Sequence, residues 1–68
     1  MKHVWILSEG EKGYDERVTS VFSNYDAAIA ALRTLAEEAG CDIKVSWAAA
    51  SFEDDVYYTI IREWEVTQ

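Results

Sequence analysis

The chain has 68 residues, half of them apolar, and a formal net charge of −7. That length holds one domain and no more, and that apolar fraction excludes a disordered chain. The acidity speaks against direct nucleic-acid binding, which runs on basic patches, and against attraction to an anionic membrane; a charge-driven partner is expected to be a basic protein surface.

Residues 2–8, KHVWILS, contain the run Val4-Trp5-Ile6-Leu7. It is apolar on both faces, as in a strand inside a sheet. The run is too short for a membrane span of ~20 residues and lacks the cleavage site of a signal peptide. Gly10 and Gly13 among charges predict a hairpin loop over 8–16. Residues 17–22, RVTSVF, are rich in β-branched side chains and predict a second strand.

The stretch 23–40, SNYDAAIAALRTLAEEAG, is the segment the rest must cover. Ser23 is expected to cap it, with Asp26 three residues on in an acidic version of the capping box and Phe22 folding back on Ala27. Ala28, Leu32, Leu35 and Ala39 recur at helical spacing, flanked by Tyr25, Ile29 and Ala36. Asp26, Arg33 and Glu37 fall opposite. Gly40 supplies the left-handed stop. The spacing predicts an amphipathic helix over 24–39, ~24 Å long.

Residues 42–49, DIKVSWAA, alternate, with Ile43, Val45 and Trp47 on one face; they predict a strand. Residues 50–55, ending in Glu53-Asp54-Asp55, read as a turn, and 47–52 could instead form a helical turn. Residues 56–66, VYYTIIREWEV, predict a long strand. Tyr58, Ile60, Trp64 and Val66 share one face; Tyr57, Thr59, Ile61, Glu63 and Glu65 share the other. Arg62 interrupts the first face, as at a bulge or a sheet edge.

The expected fold class is α+β: one domain over 1–68, an antiparallel sheet of about four strands in ββαββ order, and one helix on one face. A single helix covers a single sheet face. Some of Trp5, Tyr57 and Ile61 is therefore expected on the other, a patch for a partner or a weak homodimer.

The chain is poor in chemistry. His3 is the only histidine and Cys41 the only cysteine, and neither has a sequence partner for catalysis. Zinc fails on ligand count. Glu53-Asp54-Asp55 lacks the spacing, glycine and closing glutamate of an EF-hand loop. Gly10 and Gly13 do not open a helix, so they form no phosphate cradle. No catalytic residue, cofactor or metal is expected. The acidic residues are the unusual feature. Glu9, Glu11, Asp15 and Glu16 crowd the first loop, and Glu53, Asp54 and Asp55 the last. Glu63 and Glu65 stand ~7 Å apart on one strand face, a spacing comparable with successive phosphates. These nine are the candidate partner-binding residues. Their plainest role is a solvated surface that maintains solubility; their functional role would be a phosphate-like surface competing for a basic channel.

At VWILSEGE, RVTSVFSNYDAAIAAL and REWEV the chain resembles a group of small phage and prophage proteins. The resemblance covers most of the chain except 41–57, and its motifs belong to the scaffold. Size and acidity are also similar to anti-CRISPR proteins directed at type I systems, several of which are DNA mimics. The resemblance implies a non-catalytic inhibitor in the bacterial host cytoplasm, bound to a CRISPR effector complex subunit and blocking its DNA-binding surface. The rival expectation is a prophage binding module that uses the uncovered sheet face for a protein or small ligand.

Overall fold

The computed structural model describes residues 2–46 and 49–66. Its elements are β1 (Lys2–Glu11), β2 (Glu16–Phe22), α1 (Tyr25–Ala39), β3 (Lys44–Val45), β4 (Ala49–Glu53) and β5 (Tyr57–Val66). The fold is α+β, with one helix on an antiparallel sheet, as the sequence predicts. The strand count is corrected: the described residues form five strands, in spatial order β2-β1-β5-β4-β3, and the chain order is ββαβββ.

The apolar run of β1 does lie inside the sheet, between β2 and β5. The first hairpin is tighter than the glycines imply. Glu9 and Glu11 belong to β1 and Glu16 to β2, leaving a turn closed by Tyr14 N donating to Glu11 O at 3.0 Å. Gly13, at φ 88°, supplies the left-handed residue of that turn.

The helix cap moves by one residue. Asn24, not Ser23, is the N-cap, and its Oδ1 accepts from Ala27 N at 2.8 Å. A carboxamide in that position satisfies one of the open N–H groups of the first turn. Gly40 ends the helix at φ 70°, its N–H directed at the Ala36 and Glu37 carbonyls. Trp5 meets Tyr25 edge-to-face at 6.3 Å, tying the first turn to β1. Ala28, Ile29, Leu32 and Ala36 form the buried stripe, with Leu35 half-buried and Ala39 exposed. The small side chains bring the helix close to the sheet, where Leu7, Ala50, Phe52 and Ile61 complete the core.

The helix leaves β2 at one edge of the sheet and delivers the chain to β3 at the other. It thus spans the face it covers. Of the strand predicted over 42–49, Lys44–Val45 form β3 and Ala49 opens β4, Ala48 lies outside the described residues, and most of the region read as a turn is instead β4. Ala49–Phe52 is therefore extended rather than a helical turn; Trp47 lies outside the described residues. Alanines and serines hid β4, because they mark no clear period. The true turn is Asp54–Val56: Asp54 Oδ1 accepts from Val56 N at 2.8 Å and Tyr57 N at 2.6 Å, an Asx turn.

The alternation predicted for β5 holds, but its faces are reversed. Ile61, paired with Leu7 and Ala50, sits under the helix. Trp64 and Val66 stand on the open side and are exposed. Of Trp5, Tyr57 and Ile61, only Tyr57 is exposed. Arg62 marks neither a bulge nor an edge, since β5 is the middle strand. The bulge is at Leu7/Ser8 against β2, with Leu7 opposite Ser20 and Ser8 opposite Val18. Thr19 is the extra residue, and its Oγ1 donates to Leu7 O at 3.3 Å.

Candidate functional site

The two acidic segments meet at one end of the sheet. β1 ends there, β2 and β5 begin there, and β4 ends there. Lys12 N donates to Val56 O at 2.7 Å, joining the two turns directly. Residues 9–17 and 53–55 together hold seven carboxylates and two cations, so they carry −5 of the net −7 charge. The helix runs toward the same end, because β3 starts there. Its last turn holds Glu37 and Glu38 and no basic residue. Two carboxylates beside the negative end of a helix dipole cost about 0.3–1 kcal/mol each, and they deepen the negative field there.

The carboxylates are not equivalent. Glu16 accepts from Arg62 Nη1 at 2.5 Å and Tyr58 OH at 3.2 Å. Glu53 lies between Lys12 Nζ at 3.3 Å and Lys44 Nζ at 3.9 Å. Glu9 pairs with Arg17 at 3.2 Å, and Asp54 holds its turn. Among the described residues, no cation lies within 4.0 Å of Glu11, Asp15 or Asp55. These three are the carboxylates presented outward. Beside them Glu9, Glu11, Tyr14, Asp15, Arg17 and Tyr57 line an open concavity of about 460 Å³.

Glu63 and Glu65 are not part of this end. They sit near the far end of β5, ~20 Å or more along the strand, and Glu63 is engaged by His3 Nδ1 at 2.6 Å. The predicted pair does share one strand face, paired with Trp5 and His3 of β1. Among the described residues no three of His, Cys, Asp and Glu converge on a metal-holding geometry. No described helix is long and apolar enough to cross a membrane.

The sequence reading missed the Glu16–Arg62–Tyr58 cluster, which lies on the open sheet face. Gly10 makes room for it: a Cβ there would stand 3.0 Å from the Tyr58 hydroxyl. Arg62 in an otherwise apolar strand face was the available signal. Its guanidinium, through hydrogen bond and charge, holds the Glu16 carboxyl below its ordinary value of 4.5, with Tyr58 and Ser8 adding to the effect. Burial, then Glu16, raises the Tyr58 hydroxyl. The N–H groups of Tyr57 and then Val56 hold Asp54 below its ordinary 3.8.

A carboxyl with a lowered pKa binds fewer protons in the folded state than in the unfolded chain. Its stabilising effect is complete above the ordinary value and is lost as pH falls through the folded one. Thermal unfolding midpoints are expected to stay level above about pH 5 and to drop below about pH 4. Glu16→Gln should start lower at neutral pH and lose less on acidification. An equal acid drop in that variant would remove Glu16 from the account.

Comparison with protein-family models, with curated proteins and with solved structures finds no match to this chain.

Proposed function

We propose that the protein is a non-catalytic interaction protein whose acidic sheet end docks on a basic, DNA-binding protein surface and blocks it. The observation that supports this reading is the junction of the two acidic turns, which concentrates most of the net charge at one end of the molecule. Glu11, Asp15 and Asp55 stand free of cation partners among the described residues and are the first residues a basic surface would meet. Glu53 and Asp54 shape the turn behind them. A concentrated field of this kind raises association rates and makes binding salt-sensitive. The resemblance to phage proteins and to inhibitors of type I CRISPR systems makes the surveillance complex of such a system the partner to test.

The test is the binding of target DNA by that complex with and without the protein, at low and at high salt. DNA binding should be blocked at low salt, with the inhibitor's affinity falling steeply as ionic strength rises. Inhibition that is indifferent to salt would defeat the acidic-end reading and favour the apolar sheet face as the partner's surface. No inhibition at any salt would remove this partner.

A further inference from the structure

Among the described residues, no element covers the sheet face away from the helix. Val4, Ile6, Val21, Ile60, Trp64 and Val66 lie on it, with Val18 beside them. The Thr19 bulge is what brings Val18 and Val21 to the same side: Val18 pairs with Ser8 and Val21 with Ile6, both open-face residues. An unbroken β2 would send them to opposite faces. Val18 and Val21 are each 59% exposed and Trp64 54%, so this face carries three of the large exposed apolar side chains.

The charges on this face differ from those of the molecule. Lys2, Lys44 and Arg62 face Glu16 and Glu53, a near-neutral set on a chain of net −7. Arg62 and Glu16 neutralise each other on it. A basic partner has little to attract it here, and a second copy has little to repel it. The extents of 38 and 24 Å bound the face at about 900 Å². Covering roughly two thirds of that on each copy removes about 1,200 Å², the lower limit of a stable interface. The core beneath the helix is small: among the described residues, eight apolar side chains are buried, three of them alanine. Chains of this size commonly gain stability by association.

We propose that the open face is a self-association surface on which a second copy of the chain packs sheet to sheet. The product is a four-layer, two-fold dimer, helix–sheet–sheet–helix, with sheets ~10 Å apart. It leaves the acidic ends at the perimeter of the shared interface, so this inference stands apart from the proposed function.

Sedimentation of the full chain from sub-micromolar to hundreds of micromolar tests it. The mass should rise from 7.7 kDa to twice that value, and the unfolding midpoint should rise with concentration. Trp64→Lys and Val21→Lys, each at an exposed position, should keep the far-ultraviolet spectrum and stay monomeric across the range. Reversal of Glu11, Asp15 and Asp55 should leave the dimer intact. A wild-type chain that remains monomeric would overturn the proposal. So would a dimer that survives both lysine substitutions, which would place the contact at the β2 edge, or one lost on reversal of the acidic end.

Discussion

Changing Glu11, Asp15 and Asp55 together to lysine should weaken binding to the basic partner by about a hundredfold or more, while the domain stays folded. Like-charge contacts at a complementary interface cost several kcal/mol, and each 1.4 kcal/mol is about tenfold in affinity. The choice of these three follows from the geometry. Consecutive carboxylates at 53–55 invite a block reversal, but Asp54 accepts two backbone N–H groups of its own turn and Glu53 sits between two lysines. A lysine at either position would disturb the β4–β5 connection and confuse lost binding with lost structure. Asp54→Ala is the matching control: it should lower the unfolding midpoint, and its binding should follow the folded fraction. A triple variant that is folded and still binds tightly at low salt would rule out the acidic end.

Leu32→Ala should cost about 2–5 kcal/mol, the range for truncating a buried leucine. Leu32 is 0% exposed, in the cluster that includes Leu7 and Ile61. The alanines on its own helix face leave few large side chains to collapse into the gap, which favours the upper part of the range. Domains are stable by only about 5–15 kcal/mol, and a small one lies near the bottom of that scale. The variant should therefore show a midpoint lowered by about 10 °C or more, or partial unfolding at room temperature. Urea denaturation followed by tryptophan fluorescence measures it, and a wild-type curve would contradict the packing.

The helix was legible because several independent signals agreed: composition, period and the Gly40 stop. The N-cap alone slipped, since Ser23 and Asn24 are both good caps and sequence gives no angle to choose between them. β5 was legible as a strand and as an alternation, but not for which face turns inward. Tyr58, Ile60, Trp64 and Val66 are the larger apolar set, and burial by size favours them. The helix instead meets Thr59 and Ile61, because the register with β1 pairs Ile61 with Leu7. Register across a long loop leaves no local trace. The acidic residues were legible as two segments; their meeting depends on the strand order, which no local pattern encodes. The Thr19 bulge was invisible for the same reason, and with it the shared side of Val18 and Val21.

The placement of β5 between β1 and β4 bears on how the chain acquires its fold. β1 can pair with β2 early through a tight hairpin, but its other edge waits for β5, which follows some 45 residues later. The helix can form early, yet Ile61, with Leu32 the most completely buried large side chain among the described residues, arrives with β5. A nascent chain on the ribosome therefore exposes an apolar helix stripe and one bare edge of β1 until β5 has emerged. Contacts between such distant segments slow folding relative to a helical protein of equal size, and the exposed edge and stripe are the features that draw chaperones or drive aggregation. Among the described strands, the one that completes the core follows all the others, so the middle of the sheet forms after its flanks.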